Sequence, residues 1–171
     1  NITPNYEIIY VNDASPDNAM EILRKLAGED KRVIVMSHSR NFGNQAAYTT
    51  GMRYATGEAV ITLDGDIQDP PELFPDLVKK WLEGYKIVYG SRTKRRSSLI
   101  RKTLYKIFYR ILKKMSYIDI QLDAGDFALI DREVLDIINN DFKEVNRYIR
   151  GMRAYVGFRS IGIPYTHTER F

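Results

Sequence analysis

The chain has 171 residues, 44% of them hydrophobic and 28% charged, a balance that suits one globular domain with its own core. The absence of cysteine excludes disulfide bonds, thiolate nucleophiles and metal sites built on cysteine. The net charge of +4 comes from one segment, because residues 92–114 carry ten Lys or Arg and no acid, while the other residues carry 16 basic and 22 acidic side chains. No apolar run approaches the roughly 20 residues that span a bilayer.

Strand patterns alternate with helix patterns along the chain, which predicts an α/β domain with a largely parallel sheet. Short apolar runs predict strands at residues 7–11, 32–37, 58–64, 86–91 and 158–165. Helical periodicity predicts helices at residues 15–29, 43–57, 69–84 and 97–115, and residues 127–140 are predicted to form a strand that leads into a short helix. We expect Ser15 to cap the first helix, and Gly57 and Gly84 to close the second and third.

Polar residues follow several of the predicted strands. In an open α/β sheet, ligands bind outside the carboxyl ends of the strands. This rule points to four places, namely Asn12 with Asp13, the loop 37–43, residues 64–66 and residues 90–92. We therefore expect the functional site to be built from these loops.

The stretch "TLDGDIQDPPE" at residues 62–72 combines a helix start with an acidic cluster. Asp69, Pro70 and Glu72 match the residue preferences of a capped helix start. Asp64, Asp66 and Gln68 alternate, so on an extended backbone their side chains point to one side. Neighbouring carboxylates repel unless a cation lies between them, and Mg²⁺ or Mn²⁺ takes such oxygen ligands. A solvated acidic turn is the alternative.

The basic segment predicts an amphipathic helix over residues 97–115. Its apolar stripe is accompanied by basic residues that include Arg101 and Lys102. A basic amphipathic helix is typical of a membrane-surface element, where each Lys or Arg near an anionic leaflet contributes roughly 1 kcal/mol. A core-packed helix with a solvated charged face is the alternative. We expect no nucleic-acid partner, because no recognised nucleic-acid motif accompanies the patch.

Several long motifs in this order make the chain resemble the family 2 glycosyltransferases of the GT-A fold, with a Rossmann-like sheet flanked by helices. The resemblance is strongest to the polyprenyl-phosphate glycosyltransferases, which include dolichyl-phosphate mannose synthases and bactoprenol glucosyltransferases. The motifs are "VNDASPDNA" (11–19), "SRNFGNQAA" (39–47), "ATGEAVITLDGDIQDPPE" (55–72), "VYGSR" (88–92), "DAGDFALIDREV" (123–134) and "RYIRGMRAYVG" (147–157). Members of this family begin with a strand that carries a P-x-Y-N-E-like motif, which is absent here. We therefore expect residues 1–171 to be one catalytic domain within a longer, membrane-associated protein.

The resemblance implies a nucleotide-sugar donor and a divalent cofactor, Mg²⁺ or Mn²⁺. It assigns Asp13 to the base or ribose, Asp64 to ribose or metal, and Asp66 with Gln68 to the metal. Arg40 and Arg92 follow strand ends and could form charge-assisted bonds to phosphates.

The resemblance also assigns residues to the diphosphate and the reactive centre. It places an arginine-bearing motif near the diphosphate. Arg147 and Arg150, three residues apart, would share one helical face. It makes Asp126 the catalytic base or the residue that positions the acceptor.

These assignments predict an inverting transferase that moves a sugar, with glucose from UDP-glucose as the first guess, to a polyprenyl phosphate at the cytoplasmic face of a membrane. Arg101 and Lys102 would meet the lipid phosphate. Three alternatives stay open: a family 2 enzyme that acts on a sugar hydroxyl in polysaccharide synthesis, a non-catalytic nucleotide-sugar-binding module, and a basic nucleic-acid adaptor. A homo-oligomer also stays open.

Overall fold

The structure is a computed structural model that describes residues 3–66, 68–92 and 124–165. The strands are β1 (Ile8–Asn12), β2 (Val33–Ser37), β3 (Ala59–Thr62), β4 (Ile87–Arg92), β5 (Ala124–Asp131) and β6 (Ser160–Tyr165). The α-helices are α1 (Ala19–Glu29), α2 (Asn44–Tyr54), α3 (Phe74–Leu82), α4 (Arg132–Asn140) and α5 (Ile149–Tyr155). None of these described helices has the length and apolar character needed to cross a membrane. The α/β class is confirmed, and the helix predicted over 97–115 lies outside the described residues.

The described strands form two sheets. β1 and β2 pair in parallel, whereas the larger sheet has the strand order β3-β5-β4-β6. In the larger sheet β5 runs antiparallel to both β3 and β4, and β6 runs parallel to β4. Three of the four strands therefore share one direction, and the start of β5 lies at the same edge as the carboxyl ends of β3 and β4. Sequence pattern alone did not predict this reversal.

The core is built on both faces of β5. Phe127 and Leu129 face Leu77 of α3, while Ala128 and Ile130 face the opposite side, and each of these side chains is at most 1% exposed. The second face is covered by residues from three helices, including Met52 of α2, Leu135 of α4 and Met152 of α5. Burial on both faces explains why residues 127–130 of this strand form a continuous apolar run and do not alternate with polar residues.

The predicted cap of the first helix is wrong. α1 begins at Ala19, and Ser15 lies in the preceding turn. There the Asn12 side chain accepts a hydrogen bond from the Ser15 amide at 2.8 Å, and Asp17 accepts one from the Ala19 amide at 3.0 Å. These bonds hold residues 12–19 in a turn, and the helix starts three positions later than a cap at Ser15 would place it.

The predicted end of the second helix is also wrong. α2 ends at Tyr54, because the Glu7 carboxylate accepts hydrogen bonds from the amides of Thr56 and Gly57 at 2.6 and 3.3 Å. Those amides are thereby withdrawn from the helix and tied to the chain just before β1. A contact across 50 residues thus replaces the local glycine cap.

The third helix begins later than the capping residues predict. A short 3₁₀ turn at Pro71–Leu73 precedes α3, and the residue just before that turn is Pro70. The buried Asp69 accepts a hydrogen bond from the Tyr165 hydroxyl of β6. The role of Asp69 as a cap is therefore wrong. Gly84 does close the helix, with the left-handed φ of +95° that favours glycine.

Candidate active site

Asp64 and Asp126 both lie at the edge of the larger sheet where β3 and β4 end and β5 begins. Thr62, the last residue of β3, pairs with Ala128, and its hydroxyl donates to the Ala128 carbonyl at 3.2 Å. Asp64 lies two residues beyond Thr62, and Asp126 lies two residues before Ala128. Because these strands are antiparallel, both aspartates lie at the same edge of the sheet.

Helix α2 supplies two hydrogen bonds to Asp64. Asp64 Oδ1 accepts a hydrogen bond from Asn44 Nδ2 and another from the Tyr48 hydroxyl, each at 2.8 Å. Burial raises the pKa of the Tyr48 phenol, and the hydrogen bond to Asp64 with the nearby negative charges of Asp64 and Asp126 raises it further. Tyr48 therefore stays protonated and donates to the carboxylate across the physiological pH range.

The predicted metal ligands, Asp64, Asp66 and Gln68, offer oxygen atoms that suit a hard divalent cation whose coordination is completed by a substrate. Asp66 accepts a hydrogen bond from the Gln68 amide at 3.2 Å, which forms a tight turn after Asp64. No group of three or more His, Asp or Glu side chains with metal-site geometry occurs within residues 3–66, 68–92 and 124–165. The predicted ligand set among these described residues is two carboxylates and one side-chain amide oxygen. Mg²⁺ sites of this kind take one or two carboxylates and are completed by substrate phosphates.

Asp126 lies beside two arginines of α5. Its Oδ2 is 3.4 Å from Arg150 Nη2, and its Oδ1 is buried without a hydrogen-bond partner among the described residues. Arg153, 5% exposed, donates from Nη2 to the Gly125 carbonyl at 2.7 Å. Burial lowers the pKa of Arg153 to about 10, and the charge of Arg150 adds to this while Asp126 opposes it. Arg153 therefore remains charged at neutral pH, and the two guanidinium groups lie next to the Asp126 carboxylate.

Arg147 does not share a helical face with Arg150, so that prediction is wrong. α5 begins at Ile149, and Arg147 precedes it. The Arg147 guanidinium donates to the Asn139 carbonyl in the last turn of α4 at 3.4 Å and to the Phe142 carbonyl just beyond that helix at 2.8 Å. Burial lowers the pKa of Arg147, and the nearby Arg53 charge contributes. These contacts favour a structural role.

Arg40 and Arg92, which are predicted to contact the phosphates of the nucleotide-sugar, lie in different places. Arg40 lies near the end of the smaller sheet, and Arg92 lies at the end of β4. The Arg40 guanidinium donates to the Asn41 carbonyl at 3.0 Å and lies over the exposed Phe42 ring, 3.9 Å from its centroid. Arg92 is the last residue of β4, and its side chain is outside the described atoms. Arg101 and Lys102 fall in the segment outside the described residues.

Asp13 follows β1 and is held by three donors. Its Oδ1 accepts from His38 Nδ1 at 2.7 Å and from the Phe42 amide at 2.9 Å, and its Oδ2 accepts from the Gly43 amide at 2.7 Å. Burial alone would raise the pKa of Asp13, but these hydrogen bonds outweigh it and hold the pKa below its usual value. Asp13 is therefore ionised, and Oδ2 retains acceptor capacity for a ligand.

Sequence reasoning missed Asn44, Tyr48 and Arg153. Asn44 and Tyr48 are four residues apart on α2, and Arg150 and Arg153 are three apart on α5, so each pair shares a helical face. This spacing on a helix is the sequence signal that could have identified these residues. For Asn44 and Tyr48 the signal is stronger, because their helix directly follows a strand-end loop.

Comparison with known proteins identifies the family. The sequence model described as glycosyl transferase family 2 matches residues 1–138. The chain belongs to this family. It is 46% identical over 167 residues to YkcC of Bacillus subtilis strain 168, described as an uncharacterized glycosyltransferase, and this alignment covers 97% of the chain and 51% of YkcC. It is 38% identical over 166 residues to the bactoprenol glucosyl transferase of Shigella phage SfX, covering 96% of the chain and 54% of that relative.

Solved structures support the fold. The family 2 chain aligns with the mannosyltransferase PcManGT of Pyrobaculum calidifontis, solved with GDP-Man and Mn²⁺, at a TM-score of 0.60 and 23% identity over 92% of the chain and 45% of PcManGT. It aligns with residues 1–349 of S. aureus TarS at a TM-score of 0.55 and 13% identity over 94% of the chain and 51% of that structure. The fold is GT-A, as the resemblance predicts. The chain spans about half the length of the curated relatives it matches.

Proposed function

We propose that the protein is an inverting glycosyltransferase that moves a hexose from a nucleotide-sugar to a polyprenyl phosphate. The observation that carries the proposal is the meeting of Asp64 with Asp126 and Arg150 at one sheet edge in a chain of glycosyl transferase family 2. A nucleoside diphosphate donor and its metal need carboxylates to bind the metal and positive charge to bind the phosphates. The aspartates and the arginine at this edge provide these groups. The relative named a bactoprenol glucosyl transferase supports a lipid acceptor.

Glucose from UDP-glucose is the donor that we propose to test first. The phage relative is named a glucosyl transferase, which supports the sugar. In this proposal Asp13 receives a hydrogen bond from the base or ribose through Oδ2. Arg40 and Arg150 add positive charge toward the diphosphate, together with Arg92.

Asp64, Asp66 and Gln68 would hold Mg²⁺ or Mn²⁺. When bound, the ion acts as a Lewis acid that stabilises negative charge on the departing diphosphate. Asn44 and Tyr48 fix the orientation of the Asp64 carboxylate through their two hydrogen bonds, so its second oxygen is presented in one direction.

The proposed acceptor explains why Asp126 need not remove a proton. A phosphate monoester has a second pKa near 6, so at pH 7 its oxygen is already anionic. That oxygen attacks the anomeric carbon from the face opposite the diphosphate, the carbon–diphosphate bond breaks, and the configuration inverts. Asp126 then positions the acceptor against Arg150, and the basic residues Arg101 and Lys102 would meet the lipid phosphate at the cytoplasmic face of the membrane.

A thermal-shift panel of nucleotide-sugars on the full-length protein tests the proposal. We expect UDP-glucose with Mn²⁺ to raise the melting temperature by several degrees, because a ligand at 100 times its Kd stabilises the folded state by roughly 2.7 kcal/mol. UDP-glucose without Mn²⁺ should give a much smaller shift. If no nucleotide-sugar gives a metal-dependent shift, the proposed function is wrong.

Replacing Tyr48 with phenylalanine should weaken activation by Mn²⁺ about tenfold, because loss of a hydrogen-bond partner of a ligating carboxylate costs roughly 10- to 100-fold in metal affinity. The measurement is the Mn²⁺ concentration that gives half-maximal transfer. Tyr54→Phe is the matched control, since Tyr54 lies on the same helix and is 60% exposed. Equal activation constants for the two variants would contradict the role of Tyr48.

A further inference from the structure

His38 connects the smaller sheet to the proposed donor site. It follows β2 directly, and its amide donates to the Asn12 carbonyl at 2.9 Å, so the strand pairing extends to this residue. The ring then bridges two elements. Nδ1 is 2.7 Å from Asp13 Oδ1, and Nε2 is 2.9 Å from Thr50 Oγ1 on α2. The side chains of His38 and Asp13 are only 14% and 17% exposed.

The partners of His38 fix its tautomer and its orientation. An ionised carboxylate only accepts, so Nδ1 carries a proton and donates it to Asp13. The Thr50 hydroxyl can donate to a neutral ring or accept from a charged one, so both bonds persist in either state. The Phe42 ring contacts the imidazole edge-to-face with centroids 5.5 Å apart. The bridge therefore holds the Asp13 carboxylate at one position.

Asp13 in turn holds the loop that starts α2. Its two oxygens bind the amides of Phe42 and Gly43, and Gly43 has a φ of +95°, a conformation that favours glycine. The next residue, Asn44, begins α2 and donates to Asp64. A continuous set of bonds thus runs from the imidazole through Asp13 and the loop to the acidic cluster.

We propose that His38 is a positioning residue for donor binding, which fixes Asp13 and, through the Phe42–Gly43 backbone, the start of α2. The inference rests on the proposed nucleotide-sugar donor. His38 does not touch the reacting atoms in this role. Its loss therefore weakens the binding of the donor and leaves the rate of the chemical step close to that of the wild type.

Two substitutions in the full-length protein separate positioning from simple stabilisation. His38→Leu removes both bonds, whereas His38→Asn keeps an amide nitrogen near the place of Nδ1. With UDP-glucose and Mn²⁺ we expect His38→Leu to raise the donor KM about tenfold, which corresponds to about 1.4 kcal/mol, because the variant loses a hydrogen bond to the charged Asp13 carboxylate. The kcat should change less than about twofold, and His38→Asn should restore most of the KM.

A donor-independent measurement keeps this inference separate from the proposed function. Hydrogen–deuterium exchange of a peptide that spans Phe42 and Gly43 should accelerate about tenfold in His38→Leu and stay near the wild-type rate in His38→Asn. If the leucine variant does not fold, His38→Gln repeats both measurements, because the glutamine amide nitrogen can replace Nε2 beside Thr50 but not Nδ1 beside Asp13.

These measurements test the positioning role of His38 whether or not the wild-type protein uses a nucleotide-sugar. A raised donor KM with rescue by asparagine supports it, and so does faster exchange that asparagine restores. An unchanged KM in a wild-type enzyme that uses UDP-glucose overturns it, as does a loss of kcat and melting temperature that leucine and asparagine share equally. If the wild type uses no nucleotide-sugar, the proposed function fails, and unchanged exchange in His38→Leu then overturns the positioning role as well.

Discussion

Replacing Asp64 and Asp66 together with alanine is expected to lower kcat/KM for sugar transfer by about a thousandfold. Both carboxylates follow β3 at the edge where the donor's diphosphate would lie, and their removal would leave Gln68 alone among the three predicted ligands. A divalent Lewis acid contributes several kcal/mol to stabilising a leaving group, and a thousandfold is roughly 4 kcal/mol. Initial rates with UDP-glucose and a polyprenyl phosphate at saturating Mn²⁺ give the number.

The matched control for this experiment is Asp76→Ala, which removes an exposed carboxylate in the first turn of α3. It should keep kcat/KM within about twofold of the wild type, because isolated surface charges contribute little. A melting temperature for each variant shows that the loss comes from the site. Near-normal turnover of the double variant would contradict the role of the acidic pair.

Replacing Asp126 with asparagine should lower turnover about a hundredfold and raise the KM for the lipid acceptor. The change removes the negative charge that lies 3.4 Å from Arg150 and leaves the nearly buried Arg153 without that counter-charge. The acceptor phosphate would then meet a misplaced guanidinium. Because an anionic phosphate oxygen needs no base, the pH dependence of kcat/KM should keep its shape.

A sugar-hydroxyl acceptor predicts a different result for the same variant. Loss of a general base costs roughly 10²–10⁴-fold and removes the corresponding limb of the pH profile. Asp136→Asn is the control, since Asp136 is exposed on α4 and pairs with Arg132 at 3.4 Å. If Asp126→Asn abolishes the acidic limb while the control does not, the acceptor is a hydroxyl and the lipid-phosphate proposal is wrong.

The sequence predicted the positions of the candidate site residues relative to the strands better than the contacts that hold them. The rule that ligands bind at the carboxyl ends of strands places Asp13 and Asp64 correctly, because each directly follows an apolar run of strand length. The position of Asp126 depends on the reversed direction of β5. Hydrophobic periodicity gives the extent of a strand and not its direction, so only the resemblance to a family could bring Asp126 to this edge.

The failed predictions for Asp69 and Gly57 share one physical cause. Asp69 has the local sequence of a helix cap, yet its carboxylate is bound by Tyr165, 96 residues away. Gly57 is likewise held by Glu7 across 50 residues. Local propensity competes with such tertiary hydrogen bonds, which no window of the sequence contains. The same limit hid the contacts of His38 with Asp13 and of Tyr48 with Asp64.

The most direct test of the account is to measure, by electron paramagnetic resonance, the binding of Mn²⁺ to the full-length protein in the presence of UDP. Wild-type protein should bind about one Mn²⁺ per chain when UDP is present and much less without it, because the diphosphate completes the ligand set. The Asp64→Asn, Asp66→Asn double variant should bind none at the same concentration. Equal Mn²⁺ binding by the wild type and this variant would contradict a cation held by the acidic cluster beyond β3.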